Sequence, residues 1–389
     1  AIIIGVLPTH NAFAQWDWSA SVGAETRAFL NSGRFPGQNE DFQASLLIEP
    51  EVRWRSESGD HSVSIIPYAR LDSVDDQRTH LDLREAYWAY EGNDWDVLVG
   101  VNKVFWGVTE SRHLVDVVNQ TDFVEDPDEE DKLGQPMVNL NLQRDWGRIS
   151  AFLLPYFRQR SFPGRDGRLR GPFPVDEDRP IFTDDASENE LDFAVRYSHY
   201  FGNVDVGVYW FHGNNREPRL QFDPANEVFR PVYDEIDQYG LDLQYTGDAW
   251  LWKLEAIVRD APEDTFFAFV GGFEYTLYQI NDGETDLGFL LEYQYDGRAA
   301  SEAPTLADDD IFAGMRWSIN DAQDTNVLFG MAYDVNNANS FINLEAERRL
   351  GDSLKAELRL RMFAGASADE FAFATERDDY IQLRLTQFF

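Results

Sequence analysis

The amino-acid sequence predicts an all-β fold, a transmembrane antiparallel up-and-down β-barrel of about 18 strands, with 16 as the alternative count. Three observations carry this. Hydrophobicity alternates with a period of two over runs of roughly 10–13 residues, the span of a tilted bilayer-crossing strand and about twice the length of a globular one. Tight turns alternate with long connections along the chain. Finally, 14% of the residues are aromatic in a chain whose net charge is −37.

That combination excludes several classes. Disordered chains are acidic but poor in aromatics, so these rings must be buried or embedded. Nucleic acid is not expected as a partner, because phosphate binding needs a basic footprint. The absence of Cys rules out disulfide scaffolds and thiolate metal sites. The opening Ala1-Ile2-Ile3-Ile4-Gly5-Val6-Leu7-Pro8 reads as the apolar part of a secretory signal, and Ala12-Phe13-Ala14 as its cleavage pattern. Residues 1–14 are therefore expected to be a signal-peptide remnant and 15–389 a single barrel; the alternative is a short apolar first strand. No later apolar run approaches the roughly 18 residues of a transmembrane helix.

The strands are expected at 16–30, 42–55, 61–73, 80–90, 94–105, 136–144, 147–158, 189–200, 203–212, 237–246, 249–259, 265–280, 285–296, 309–319, 325–334, 340–349, 353–364 and 378–389. In the seventeenth, Leu354, Ala356, Leu358, Leu360 and Met362 alternate with Lys355, Glu357, Arg359 and Arg361. Such alternation puts one set on each face. Turns such as Phe201-Gly202-Asn203 and Thr246-Gly247-Asp248 have hairpin chemistry. Between them lie long connections at 31–41, 106–135, 159–188, 213–236, 297–308 and 365–377, with shorter ones near 74–79, 260–264 and 335–339. Short turns on the periplasmic side and long loops outside are the pattern of an outer-membrane barrel. The last strand alternates through Ile381, Leu383 and Leu385 to Phe389 and resembles the terminal signal read by the barrel-assembly machinery; Gln387 departs from it.

With the apolar sets facing lipid, Trp250, Trp252, Tyr275, Tyr293, Tyr295 and Trp317 fall at strand ends, where aromatic girdles sit. The inward set holds full charges of both signs. Arg359, Arg361 and Arg384, with Arg316, are expected to form a basic lumen patch, either tuning selectivity or bridged to Glu345 and Glu347 as wall stiffening.

The segment 105–124, FWGVTESRHLVDVVNQTDFV, opens the connection after the fifth strand. Its apolar content suggests a loop folded into the pore as a constriction, with Trp106, Thr109, Ser111, Arg112, His113, Asp116, Asn119 and Asp122 at the site. Trp106-Gly107, Thr109, Ser111 and Asp116-Val117-Val118-Asn119 with Asp122 resemble a motif of porin-like outer-membrane barrels of proteobacteria, related in architecture to alginate-export-type barrels. Gln120 stands where that motif has Pro. The resemblance implies a channel or a conduit for small or lipophilic molecules. A hydrolase triad from Ser111, His113 and Asp116 is disfavoured, since nothing preorganises an oxyanion site.

The connection 159–188 is expected to fold inward too, carrying Arg160, Arg165, Arg168 and Arg170, a basic stretch that would favour anions if it met Arg359 and Arg361. The acidic run Glu125–Asp131, with Asp184-Asp185 and Asp308-Asp309-Asp310, is expected to be solvated loop; divalent ions shared with lipopolysaccharide are the alternative.

The expected function is passive, moderately selective passage of small solutes through a bacterial outer-membrane porin-like channel, reached by export through the periplasm. The alternative is a conduit for hydrophobic or lipid-like molecules, possibly in an export system. Catalytic residues, metals and cofactors are not expected. Expected partners are outer-membrane lipid and lipopolysaccharide, the assembly machinery through Phe389, and a small solute.

Overall fold

The structure is a computed structural model that describes residues 15–39, 41–183, 186–262, 264–305, 308–366 and 371–389. The expected signal remnant, 1–14, and Asp184-Asp185 lie outside the described residues. The strands are β1 (Gln15–Phe29), β2 (Phe42–Arg55), β3 (His61–Asp72), β4 (His80–Glu91), β5 (Trp95–Asn102), β6 (Gln135–Arg144) and β7 (Gly147–Leu154). They continue as β8 (Ile181–Phe182), β9 (Asp192–Phe201), β10 (Val204–Asn214), β11 (Arg219–Asp223), β12 (Val228–Tyr233), β13 (Glu235–Thr246) and β14 (Trp250–Asp260). The last are β15 (Thr265–Leu277), β16 (Asp286–Asp296), β17 (Asp309–Ser318), β18 (Asn326–Asp334), β19 (Ser340–Leu350), β20 (Leu354–Ala364) and β21 (Tyr380–Phe388).

Eighteen of these form one antiparallel sheet in which each strand pairs with its sequence neighbours. The sheet closes because β1 pairs with β2 on one side and with β21, from Ser21↔Phe388 to Phe29↔Tyr380, on the other. Closure leaves no edge, so the wall can sit in hydrocarbon with its backbone paired. Pairing runs through Gly271 and Gly272 on both flanks of β15, so the wall does not part there.

Strands of the 18-stranded wall alternate an outward apolar face with an inward one, as β16 shows. In β16, Phe289, Leu291, Tyr293 and Tyr295 are exposed, while Leu290, Glu292, Gln294 and Asp296 are buried toward the lumen. Rings mark both rims: Trp250 and Trp252 stack at 5.7 Å on the short-turn side, and Tyr293 and Tyr295 flank Phe269 near the long-loop side.

Among the strands that stop earlier than the alternation suggests are β5, β7 and β15, which ends at Leu277. β5 ends at Asn102 because Asn119 supplies the hydrogen bonds a longer ladder would give. Its Oδ1 accepts from Val104 N at 2.9 Å, and its Nδ2 donates to Asn102 O and Leu133 O at 3.0 and 2.9 Å. β7 ends at Leu154, before Pro155, which has no N–H to donate. The connection 213–236 is more ordered than expected: β11 and β12 form a hairpin, and β8 joins β12 in parallel at Val232↔Ile181.

Candidate functional site

After Asn102 the chain leaves the wall and enters the lumen as the segment 103–134. Its apolar side chains Trp106, Leu114, Val115, Val117 and Val118 are buried against inward residues of β6, β7, β9, β10 and β13–β15, among them Met137, Phe152, Phe211, Ile236, Ile257 and Val270. Trp106 lies 4.9 Å from the Tyr209 ring and 5.6 Å from that of Phe152. Each buried side chain contributes about 1.5–3 kcal/mol, ample to hold a segment that forms no helix or strand.

Two wall carboxylates fix the polar backbone of this segment. Glu255 of β14 accepts from Val108 N at 2.6 Å, from Thr109 N and Oγ1 at 2.9 and 2.7 Å, and from Val115 N at 3.1 Å. Glu292 of β16 accepts from Glu110 N at 2.9 Å, Ser111 N at 2.8 Å and Ser111 Oγ at 2.6 Å. Anions cradled by several N–H groups are held by charge-assisted bonds of about twice the ordinary strength. The Ser111 hydroxyl is thus committed to Glu292, and His113 Nδ1 faces Glu255 Oε1 at 3.9 Å. Ser111 and His113 do not form a nucleophile–base pair.

The second half of the segment docks on the opposite wall. Glu125 and Asp126 are 3% and 1% exposed. The expectation of a solvated acidic run is therefore corrected at these positions. Glu125 pairs with Arg70 and accepts from Tyr68 Oη at 2.8 Å. Asp126 pairs with Arg359 at 2.7 Å and Arg361 at 3.2 Å, and Asp128 meets Arg361 at 2.9 Å. Beneath them Glu25 of β1 joins Arg70, Arg78 and Arg384 at 2.9, 2.7 and 2.5 Å. Buried acids at these positions compensate buried guanidiniums that would otherwise be strongly destabilising. Asp310 of the second acidic run is also buried, at 3% exposure.

The residues of the expected basic lumen patch are ion-paired, as in the wall-bracing alternative. Arg359 and Arg361 are neutralised by the loop, Arg384 by Glu25, and Arg361 also by Glu345 at 2.6 Å. Arg316 stands apart from them and pairs with Glu110 at 2.7 Å. The basic loop does not extend the patch. Arg168 is buried against Asp378 at 2.6 Å, Arg160 pairs with Glu129, and Arg170 donates to the carbonyls of Arg165, Gly171 and Pro36. Arg165 is exposed. Of the remaining expected site residues, Arg112 pairs with Asp296 at 3.0 Å and Asp116 with Lys132 at 3.5 Å. Asp122 pairs with Arg84 at 2.9 Å and accepts from Ser161 Oγ at 2.8 Å.

Glu25, Arg27, Tyr68, Arg70 and Arg78 are structural participants that sequence reasoning missed. Glu25 and Arg27 are spaced by two on the inward face of β1, so the alternation carried their signal. Arg78 lies in a short outer connection and carried none. His80, Asp122 and Glu125 bring three ligand atoms within 4.8 Å of one another. Arg84 and Arg70 already pair with its two carboxylates, so a divalent ion there would meet cations as its nearest neighbours.

Above the segment, on the long-loop side, the outer loops enclose a cavity of about 1180 Å³. Glu217, in the connection before β11, ties several of its walls together. It pairs with Arg259, Arg298 and Arg112, and these guanidiniums hold its carboxyl well below the usual range. Glu177, in the connection 159–188, accepts from Phe162 N at 2.7 Å. Burial, ahead of the neighbouring Asp122 and Asp178, pushes its carboxyl up to about 7.

A closed wall with an apolar outer band, aromatic rims, short turns on one side and long loops on the other defines the fold of bacterial outer-membrane β-barrels. No protein-family model matches the chain, and no curated protein matches it in sequence. Among solved structures, Wzi of Escherichia coli, an outer-membrane protein involved in group 1 capsule assembly and described as a carbohydrate-binding β-barrel, is similar at a TM-score of 0.56 and 9% identity, over 94% of this chain and 83% of its own. OccK3 (OpdO) of Pseudomonas aeruginosa is similar at 0.54 and 11% identity, over 96% of this chain and 95% of its own. OpdQ of the same organism is similar at 0.52 and 11% identity, over 97% and 98%. At such identities the likeness is one of fold.

Proposed function

We propose that the chain forms a bacterial outer-membrane channel for small solutes, narrowed by the segment 103–134. One observation carries this reading: the segment crosses the lumen and is anchored on opposite walls, by Glu255 and Glu292 on one side and by Arg70, Arg359 and Arg361 on the other. A brace of that kind restricts a pore without needing a second domain. The motif resemblance of Trp106–Asp122 supports the same reading.

Ten carboxylates and seven Lys or Arg side chains line the cavity. This balance favours cations weakly, and the neutralised Arg359–Arg361 pair no longer argues for anions. Single-channel recording of the purified protein in planar bilayers tests the proposal. Discrete conductance steps with a modest cation preference are expected; electrical silence overturns it.

A second reading, a conduit for hydrophobic molecules, is favoured by nine phenylalanines around the same cavity. Lipid or hydrocarbon retained through purification, together with electrical silence, would select that reading.

A further inference from the structure

Where the in-folded segment faces the cavity, two buried polar groups have unused hydrogen-bonding capacity. Asp116 is 7% exposed, and neither of its carboxylate oxygens receives a hydrogen bond. The Nδ1 of His113 is likewise buried and makes no hydrogen bond, with Glu255 Oε1 3.9 Å away. Both residues line the cavity, as does Lys132, whose Nζ lies 3.5 Å from Asp116 Oδ2 and donates to Thr121 Oγ1 at 3.1 Å. A buried carboxylate without donors carries a substantial desolvation cost, and the other buried acids of this segment avoid it. Asp122, Glu125 and Asp126 are all hydrogen-bonded.

We infer that Asp116, with Lys132 and His113 beside it, forms a solute subsite for a neutral ring compound bearing two adjacent hydroxyls, a catechol-type molecule. Each part of that description follows from one feature. Two acceptor oxygens that receive no hydrogen bond, one of them 3.5 Å from Lys132 Nζ, match two neighbouring O–H donors. Lys132 already balances the Asp116 charge, so an added ammonium would be repelled and a second carboxylate would face Asp116 itself. The apolar body is matched by the phenylalanines of the cavity, Phe123 and Phe162 on the two in-folded connections among them.

The inference deepens the channel reading, and its test separates the two. Catechol binding to the full chain in lipid nanodiscs is followed by saturation-transfer NMR, with empty nanodiscs subtracted. Saturable binding is expected, weakened about tenfold by Asp116→Asn, the equivalent of about 1.4 kcal/mol. Saturable binding of 1,2-dimethoxybenzene, which has no donor, is not expected. Dopamine, a cationic catechol, is expected to be rejected by the native chain and accepted by Lys132→Met, a gain that misfolding cannot mimic. Catechol binding that does not saturate, that survives Asp116→Asn unchanged or that dimethoxybenzene equals overturns the subsite. Saturable, Asp116-dependent binding without any conductance upholds the subsite and overturns the channel instead.

Discussion

Glu255 Oε1 accepts both the backbone N–H and the hydroxyl of Thr109, at 2.9 and 2.7 Å, so one oxygen on β14 fixes the turn at which the in-folded segment doubles back. The same oxygen also takes Val108 N, while Oε2 takes Val115 N. Glu255→Ala removes every one of these acceptors. Hydrogen bonds to a charged group are worth about 1.5–3 kcal/mol each, so the segment is expected to loosen while the wall stays paired. Larger and noisier conductance steps are the expected result in planar bilayers, with Glu255→Gln intermediate. Unchanged steps in the alanine variant would show that the segment does not limit the pore.

Asp126 holds two guanidiniums. Asp126→Ala leaves Arg359 and Arg361 buried with less compensation, at a cost of about 3–5 kcal/mol. A lower thermal unfolding midpoint is expected, together with a reversal potential shifted toward anions. The double change Asp126→Ala with Arg359→Met should recover part of the stability; no recovery would mean that the Asp126–Arg359 contact at 2.7 Å is not an energetic unit.

The carboxyl of Glu177 titrates about 7 rather than near its ordinary 4.5. Between those values the docked loop retains a proton that the undocked loop has lost. Docking therefore weakens as pH rises from about 4.5 to about 7 and changes little above. The Phe162 amide, which donates to Glu177 Oε1, reports it directly. Its hydrogen-exchange protection, corrected for intrinsic rates, should fall across that window and stay level in Glu177→Gln. A native profile as flat as the variant's contradicts the assignment.

Gly240 faces the ring of Tyr209, whose Cε1 would lie 2.0 Å from an added Cβ. Tyr209 in turn supports Trp106. Gly240→Ala must displace that ring, at about 1–3 kcal/mol for an overpacked site. Reduced quenching of tryptophan fluorescence and altered conductance are expected, with heat-modifiable gel mobility of the folded barrel retained. Native fluorescence and conductance would separate Trp106 from this wall.

The barrel was legible because its signals are local. A side chain's face follows from the parity of its position along the strand, so Leu354–Ala364 declared lipid and lumen sides from eleven consecutive residues. Hairpin turns are equally local, and 18 strands emerged near their expected places. The ends of β5 and β7 did not, since Asn119 caps β5 from 17 residues away.

The sequence by itself determined the closed wall, its two faces and the inward turn of the segment after Trp106. Only the tertiary structure decided which charges meet. The acidic run at Glu125–Asp131 has the composition of a solvated loop, yet Asp126 ends against Arg359, 233 residues further along the chain. Such a pairing depends on where a segment without repeating pattern crosses the lumen. That path is set by the apolar seat of Trp106 and Val118 and by the carboxylates of Glu255 and Glu292 acting together. No single stretch of sequence contains that sum.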